Sequence, residues 1–205
     1  MNHTFLTGIM ACPESRTQEG FEMQMGTNHF GHFLLTELLM PKLRESAQSG
    51  FNARIVILAS KSHLRANMRW NDLNWKVRGS YDKWKAYHQS KLANVMHGGA
   101  LARRLQNTGI TVYIVHPGWV NTDLIRHVKN DFFYRALQSC HSYIYRTPFY
   151  GAQTTLYCCL EEKLANQSGK YYSCCAQKSM SLQAESFDSQ ERLWTISSEL
   201  VGLNK

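Results

Sequence analysis

Two short runs of apolar residues stand out from the mixed sequence and predict buried β-strands. Residues 54–59 read Arg-Ile-Val-Ile-Leu-Ala and residues 112–115 read Val-Tyr-Ile-Val, so most positions are apolar and many are β-branched. Strands of this kind are covered on both faces, as in a parallel sheet with helices on either side. A further short strand is predicted at residues 170–173, Lys-Tyr-Tyr-Ser.

Around these strands, apolar residues recur every three or four positions, which predicts amphipathic helices. This period is found over residues 17–47, from 81 or 85 to 105, over 147–164 and over 188–201. Thr17 suits the N-cap of the first helix, and Pro41 in its interior should kink it or cost about 3 kcal/mol. Gly98 and Gly99 should weaken the second helix by about 1 kcal/mol each. Strands that alternate with helices predict an α/β fold.

Length and charge narrow the class of protein further. A chain of 205 residues is the size of one domain, and its 43% hydrophobic residues suit a globular core. The formal net charge is +8, yet lysine and arginine are scattered and no basic run exceeds two residues. This pattern favours a generally basic, solvated surface over a nucleic-acid site or an anionic membrane surface. Such a surface would also attract a charged nucleotide cofactor.

The spacing of cysteine and histidine argues against a metal site. The six cysteines stand at positions 12, 140, 158, 159, 174 and 175, without the Cys-x-x-Cys spacing of a zinc or redox motif. His29 and His32 could share a helical face, but no carboxylate or third ligand is near them in the sequence. We therefore expect packing or surface histidines and no bound metal.

The sequence contains neither a membrane-spanning stretch nor a signal peptide, which bears on the cellular compartment of the protein. No apolar stretch approaches the ~20 residues that a membrane span needs. The first residues also lack the charged and apolar regions of a signal peptide. We expect a reducing compartment, either the cytoplasm or the cytosolic face of an intracellular membrane, and no secretion.

Candidate chemistry lies in the second helix, at Tyr87-His88-Gln89-Ser90-Lys91. A spacing of four residues puts the Tyr87 phenol and the Lys91 ammonium on one helical face, one above the other. An ammonium close to a phenol favours the phenolate, so Tyr87 could exchange a proton well below its ordinary pKa of about 10. Because Tyr-x-x-x-Lys also occurs by chance in helices, this pair needs partners to become a site.

Such partners follow the two central strands. Ser60 comes directly after the first apolar run, and His116-Pro117-Gly118 comes directly after the second. Open α/β sheets bind ligands at the carboxyl ends of their strands, and a Pro-Gly break exposes backbone groups there. We therefore expect Ser60 and the loop at residues 117–122 to lie beside one crevice.

Taken together, these motifs resemble the short-chain dehydrogenase/reductase family. The motifs are Ser60, Tyr87-x-x-x-Lys91 and Pro117-Gly118-x-Val120-x-Thr122, with Asn28 matching the family's fourth active-site position. The sequence is most similar to the retinol dehydrogenase-like branch, with the WW-domain-containing oxidoreductase as a cousin. Residues 28–36, 86–94, 101–105, 151–155 and 169–172 carry this likeness, which extends from about Gly8 to the C-terminus.

The resemblance implies an NAD(P)-dependent oxidoreductase that interconverts an alcohol and a carbonyl, with a retinoid- or lipid-like substrate. Tyr87 would be the general acid–base, and Lys91 would lower its pKa and hold the nicotinamide ribose. Ser60 would hydrogen-bond the substrate oxygen, and Asn28 would bend its helix locally and hold a water of the proton relay. The nicotinamide end would be held by Tyr87 and Lys91 together with Pro117, Gly118, Val120 and Thr122. Of the two cofactors, NADP is favoured over NAD by the resemblance.

One element of a dinucleotide-binding fold is not found in the sequence. No Gly-x-x-x-Gly-x-Gly turn occurs, although such a turn precedes the helix that binds pyrophosphate. Residues 1–7 form a divergent start. We therefore expect residues 1–205 to form a single incomplete domain, the C-terminal part of a doubly wound, Rossmann-like parallel sheet with flanking helices, its N-terminal βαβ units missing. The strand at residues 54–59 would then have an unpaired apolar edge, an aggregation hazard.

Residues 123–149 contain many aromatic and basic residues, and two interpretations of this region stay open. In relatives this region closes over the substrate, whereas its aromatic side chains could instead dock on a membrane surface. We favour the substrate lid. The aromatic residues are Phe132, Phe133, Tyr134, Tyr143, Tyr145 and Phe149.

Two functions from different classes also stay open. The first is an active oxidoreductase with a small alcohol or aldehyde substrate. The second is a non-catalytic, truncated relative that acts as an interaction or regulatory protein and associates with a full-length relative. Family members commonly form dimers through the first two long helices, and Gly98 and Gly99 put that packing in doubt.

Overall fold

A five-stranded sheet forms the centre of the protein. The computed structural model describes residues 2–5, 8–128 and 146–203. The strands run side by side in chain order, and the first four are parallel, whereas the last is antiparallel to its neighbour. They are β1 (Asn2–Phe5), β2 (Ala53–Leu58), β3 (Ile110–His116), β4 (Lys170–Ser173) and β5 (Ala176–Lys178). The predicted α/β fold with a parallel sheet is confirmed.

β1 corrects the expectation of an unpaired edge on β2. Its four residues pair in parallel with β2, from Asn2 opposite Arg54 to Phe5 opposite Ile57. Four residues of mixed polarity carry no period of their own, so the sequence pattern does not predict this strand. What defines this strand is the ladder that β2 offers, since parallel strands depend on their neighbours for hydrogen bonds.

Helices cover the two faces of the sheet. Short 3₁₀ turns at residues 61–65, 123–125 and 162–164 complete the described elements. The helices are α1 (Met23–Met25), α2 (Gly31–Gln48), α3 (Lys83–Arg104), α4 (Pro148–Leu160), α5 (Leu182–Glu185) and α6 (Phe187–Leu200), and a π-helical turn (Gly26–Phe30) joins α1 to α2. Over the described ranges, none of these helices combines the length and apolarity needed to cross a bilayer.

The first helical segment begins later than Thr17, the predicted N-cap. Gly20 has a φ of +85°, which is not helical, so no helix runs through this position. The Thr17 hydroxyl accepts a hydrogen bond from the Phe21 amide. The true cap of α1 is Glu22, whose carboxylate accepts from the amides of Gln24 at 2.9 Å and Met25 at 2.7 Å. Glu22 is buried, and burial raises its pKa. A buried glutamate cap depends on tertiary packing, which the sequence pattern does not reveal.

Arg54 explains why a buried strand carries a charged residue. Its guanidinium donates to the carbonyl oxygens of Cys158 and Glu161, both at 2.9 Å, where α4 ends. It also lies 5.6 Å from the centre of the Tyr113 ring. The carbonyl groups at the C-terminal end of α4 thus interact with a positive charge, which the negative end of the helix dipole favours. This contact fixes α4 against the sheet beside the candidate site, and α4 ends earlier than predicted.

Gly98 and Gly99 are positions of close approach within the chain. A Cβ atom at Gly98 would lie 2.4 Å from Cγ1 of Ile114 on β3. A Cβ atom at Gly99 would lie 2.5 Å from the Nε2 atom of Gln190 on α6. The two glycines therefore let α3 pack closely on the sheet and on α6, which offsets their low helix propensity.

Gly98→Ala is expected to destabilise the protein by about 1–3 kcal/mol, although alanine is the better helix former, because the core must shift to admit the methyl group. Urea unfolding followed by circular dichroism measures this change. Gly99→Ala is the matched control with a smaller loss, since the end of the Gln190 side chain can move more easily than buried Ile114. A Gly98→Ala protein as stable as the parent would contradict the close packing.

Candidate active site

Tyr87 and Lys91 lie one turn apart on α3, with both side chains buried. Asp82 caps this helix by accepting from the amides of Trp84 and Lys85, both at 2.9 Å, so the helix begins one turn before Tyr87. The Lys91 Nζ atom is 5.9 Å from the centre of the Tyr87 ring. The spacing of four thus places both groups on one face, as the sequence predicts.

Ser60 reaches this pair from the end of β2. It caps the 3₁₀ turn Lys61–Arg65, where its hydroxyl accepts from the Ser62 amide at 3.1 Å. His63 Nδ1 donates to the Ser60 carbonyl oxygen at 2.7 Å and so braces the turn. The Ser60 hydroxyl donates to the Ser62 hydroxyl at 3.1 Å, and it lies close enough to the Tyr87 phenol to lower the pKa of that group. A serine from a strand end therefore faces the phenol, although its role in a reaction stays a prediction.

Burial sets the protonation of the pair. It raises the pKa of Tyr87 to about 12, and the nearby Ser60 hydroxyl lowers this pKa by a smaller amount. It lowers the pKa of Lys91 to about 8. The expectation that Lys91 lowers the pKa of Tyr87 below its ordinary value is thus wrong for this structure, because desolvation of the phenolate dominates. At neutral pH the pair is a neutral phenol and an ammonium.

The Lys91 ammonium is held at the carboxyl end of β2. Its Nζ atom donates to the Leu58 carbonyl oxygen at 3.3 Å, and Asn94 Nδ2 donates to the same oxygen at 3.1 Å. A lysine has three donors, and Lys91 also lines the cleft described below. The ammonium can therefore keep its anchor on the strand and offer further donors to a ligand.

Asn28 lies in the π-helical turn between α1 and α2. Its Nδ2 donates to the Ile9 carbonyl and to Ser90 Oγ, both at 2.9 Å, and its Oδ1 accepts from the Ile9 amide at 2.9 Å. Such turns inside helices are frequent at functional sites. A Cβ atom on Gly8 would lie 3.2 Å from Asn28 Oδ1 and 3.7 Å from Lys91 Nζ. Asn28 and Lys91 thus come together around Gly8, and the part of Asn28 in a proton relay stays a prediction.

The loop after β3 forms the opposite wall. Gly118 has a φ of +91°, which favours glycine, and Val120 forms a parallel bridge with Arg146. The Thr122 hydroxyl caps the turn Asp123–Ile125. Pro117, Gly118, Val120 and Thr122 all line the same cleft as Tyr87 and Lys91. The structure therefore brings the four predicted loop residues to the predicted crevice.

Two cavities meet at the Ser60–Tyr87 pair. The larger, of about 710 Å³, contains Gly8, Lys91 and the loop after β3. The smaller, of about 260 Å³, is lined on one part by Lys61, Leu64 and Arg65 of the 3₁₀ turn that follows Ser60. Both are lined by Ser60, Tyr87, His116, Gly118, Val120 and Leu124. One ligand in each cavity would therefore meet the other at the hydroxyl groups of Ser60 and Tyr87.

Three residues of this site were not assigned a role from the sequence. His116, at the end of β3, has its pKa lowered to about 4 mainly by burial, so it is neutral at pH 7. Asn94, one turn beyond Lys91, shares the Leu58 carbonyl. Arg146 packs against Gly118, since a Cβ atom there would lie 3.3 Å from its Cδ. Only the place of His116 before Pro-Gly was a usable signal.

Other predicted features lie apart from the site or outside the described residues. His29 is buried against Ser197, with 2.9 Å between Nε2 and Oγ, and packs against the ring of Phe33. Within the part of the chain that the structure describes, no group of three or more metal-ligating side chains occurs. The predicted lid falls largely on residues 129–145, so Phe132, Phe133, Tyr134, Tyr143 and Tyr145 lie outside the described residues.

Comparison with known sequences gives strong similarity to retinol dehydrogenases. Over 196 residues the chain is 44% identical to retinol dehydrogenase 12 of Mus musculus, covering 96% of this chain and 59% of that protein. It is 43% identical over 199 residues to retinol dehydrogenase 13 of Homo sapiens, with 96% and 59% covered. The chain thus spans about 59% of the length of these relatives. No protein-family profile matches the chain.

Solved structures show the same fold. An uncharacterised protein from Mycobacterium paratuberculosis is 30% identical, with a TM-score of 0.70 over 95% of this chain and 64% of that one. A 3-ketoacyl-(acyl-carrier-protein) reductase from Brucella melitensis, solved with NADH, is 20% identical with a TM-score of 0.61 over 84% of this chain and 64% of that one. By sequence, the chain is thus similar over 96% of its own length to retinol dehydrogenases. By fold, it is similar to solved structures that include a carbonyl reductase and a 3-ketoacyl-(acyl-carrier-protein) reductase.

Proposed function

We propose that this chain carries the reaction centre of an NAD(P)-dependent oxidoreductase that interconverts an alcohol and a carbonyl. The observation that supports this most directly is the convergence of Ser60, Tyr87 and Lys91 where two cavities meet. The apolar lining of the smaller cavity, which includes Leu64, suits a lipid-like substrate. By family resemblance a retinoid would be one such compound, with its reacting end in this cavity and the rest of its chain outside it.

Tyr87 is the proton-transfer group in this proposal. A bound nicotinamide would supply the hydride chemistry, in which the carbinol carbon is oxidised or the carbonyl carbon is reduced. In oxidation, Tyr87 takes the hydroxyl proton of the alcohol, and in reduction it gives a proton to the carbonyl oxygen. Burial raises the pKa of Tyr87, so the phenol is protonated at neutral pH and is in the form that gives a proton.

The other residues hold the reactants. Ser60 donates to the substrate oxygen, an interaction that strengthens as negative charge develops there. Lys91 binds the nicotinamide ribose while the Leu58 carbonyl anchors its ammonium. Asn28 fixes the backbone at Ile9 beside this ammonium.

The larger cavity fits the nicotinamide end of NADP or NAD. Its volume of about 710 Å³ lies within the usual range of small-molecule sites, roughly 300–1,000 Å³. Gly8 leaves space beside Lys91 that any side chain would fill. Pro117, Gly118, Val120 and Thr122 would hold the carboxamide side. The sequence contains no glycine-rich turn for the pyrophosphate, so the proposal for these residues concerns the nicotinamide end.

The test is binding of nicotinamide mononucleotide, NADPH and NADH to the 205-residue chain, followed by ligand-observed NMR. We expect the nicotinamide protons of all three compounds to show saturation transfer, because the cavity receives the end they share. Lys91→Met should remove the signal. Lys85→Met, on an exposed turn of the same helix, should retain it. Absence of transfer from all three compounds at millimolar concentration would refute the proposal.

A second candidate function is association with a longer relative, without catalysis by this chain. β1 has a single neighbour, β2, among the described strands, and at a separate place α4 exposes Leu160 at 67%. An open strand edge and an exposed apolar side chain can each accept another chain. Co-expression with a full-length retinol dehydrogenase, followed by size-exclusion chromatography, tests this function. Separate elution of the two chains would exclude it.

A further inference from the structure

We propose that the smaller cavity selects carbonyl compounds and alcohols that carry a carboxylate or similar anionic group on an apolar body. The reacting end would lie at Ser60 and Tyr87, and the anionic group at Lys61 and Arg65 on the cavity's rim. The inference rests on the proposed function for the identity of the reacting group. Recognition of the anion rests on the charges of the cavity itself.

The wall of the cavity is apolar. Its side chains include three aliphatic residues and an indole, and two of them stand partly in solvent, Leu64 at 48% and Trp119 at 57% exposure. Burying such surface under a ligand contributes about 25 cal/mol per Å². The apolar lining consists mainly of Met10, Leu64, Trp119, Leu124 and Ile125.

The charge at the rim has one sign. Lys61 and Arg65 belong to the 3₁₀ turn that follows Ser60, and both line the cavity. No aspartate or glutamate is among the described lining residues. Neither cation forms an ion pair with a carboxylate in residues 2–5, 8–128 and 146–203. Two exposed cations with no described counter-charge can pair with an anionic ligand at small desolvation cost.

Other titratable groups near the cavity reinforce this field. The positive charges of Lys61, Arg146 and Lys91 help burial to lower the pKa of His116. Arg65 similarly helps burial to lower the pKa of His88. His116 is therefore neutral at pH 7 and adds no charge of its own. An anion entering the cavity meets the positive charges of Lys61 and Arg65, whereas the carboxylate of Asp123 lines the larger cavity. The two cations favour both the capture and the orientation of the anion.

Size and geometry limit the ligand. The cavity's volume of about 260 Å³ lies just below the usual range of small-molecule sites, which begins at roughly 300 Å³. Because Lys61 follows Ser60 directly in the chain, the anionic group and the reacting group are separated by a short apolar body. A small aromatic or aliphatic oxo-acid matches these limits.

The test compares two aldehydes of nearly equal shape, 4-carboxybenzaldehyde and methyl 4-formylbenzoate, which differ in the negative charge. Binding to the 205-residue chain is measured by ligand-observed NMR titration at low salt, without nicotinamide. We expect the carboxylate to bind at least fivefold more tightly than the ester. The difference should shrink at 0.5 M NaCl, because the Debye length falls to a few ångströms (about 3 Å at 1 M).

Variants assign the effect to the rim. In the double variant Lys61→Gln, Arg65→Gln, the carboxylate should bind no better than the ester. The control Arg78→Gln, Lys163→Gln removes the same net charge at two exposed positions outside the cavity and should keep the preference. Circular dichroism verifies that each variant is folded.

Equal affinity for the two aldehydes would overturn the inference. A preference lost equally in both double variants would also overturn it, because the cause would then be the net charge of +8. A preference that depends on Lys61 and Arg65 would support it even if nicotinamide mononucleotide fails to bind. That last combination would refute the proposed function while leaving anion selection in place.

Discussion

Replacement of Tyr87 by phenylalanine is expected to lower the turnover of alcohol–carbonyl interconversion by about 10²–10⁴-fold. Among the described residues of α3, Tyr87 is the hydroxyl-bearing residue that lines both cavities, and Ser60 lines both cavities beside it. Phenylalanine keeps the ring and its packing but cannot exchange a proton. Turnover is followed as the change in NADPH absorbance, with this chain alone or together with a full-length relative where the chain alone is inactive.

Tyr171→Phe is the matched control for this change. Tyr171 is a buried phenol whose pKa is raised by burial and further by the nearby Tyr87. Its hydroxyl has no hydrogen-bond partner in the described part of the chain, so its removal should leave turnover and stability nearly unchanged. Activity of Tyr87→Phe at a tenth or more of the parent would remove Tyr87 from the role of acid–base.

Much of the fold is predictable because its central elements are strongly patterned. The apolar run at residues 54–59 lies one residue from the observed β2, Ala53–Leu58, and residues 170–173 match β4. The placement of Ser60, Tyr87 and Lys91 follows from two general rules. Residues four apart lie on one face of a helix, and the carboxyl ends of parallel strands meet at one edge of the sheet. These rules depend on local sequence and connectivity alone.

The features that were missed depend on tertiary contacts. Glu22 caps α1 from a buried position, and β1 is defined by its pairing with β2. Gly98 weakens a helix in isolation but permits close packing on Ile114 in the fold. Each of these effects requires knowing which element lies opposite, and no local period supplies that information.

The same limit explains the wrong expectation for the pKa of Tyr87. The sequence places an ammonium near a phenol, from which a lower pKa follows by charge interaction. It gives no measure of desolvation, which in the structure is the first cause of the shift in both groups. The proximity of the two side chains was predictable from the sequence, whereas their burial was not. Burial decides the direction in which the pKa of Tyr87 shifts.

Lys91→Met is expected to raise the stability of the protein at pH 7 while abolishing nicotinamide binding. Burial lowers the pKa of Lys91 from 10.5 to about 8. At 1.36 kcal/mol per pKa unit, the charged lysine costs roughly 3 kcal/mol of folding free energy at neutral pH. Methionine fills similar space without charge, and the Leu58 carbonyl keeps the hydrogen bond from Asn94. After loss of the lysine hydrogen bond, we expect a net gain of about 2 kcal/mol.

The pH dependence identifies the cause of this gain. Between pH 8 and pH 10.5 the unfolded chain holds the Lys91 proton more tightly than the folded chain. The stability of the parent protein should therefore rise with pH through this window, relative to that of Lys91→Met. Urea unfolding of both proteins at pH 7 and pH 10 measures the difference, and Lys85→Met, exposed on the same helix, should behave as the parent. A stability difference between Lys91→Met and the parent that is the same at both pH values would show that Lys91 is not a desolvated ammonium.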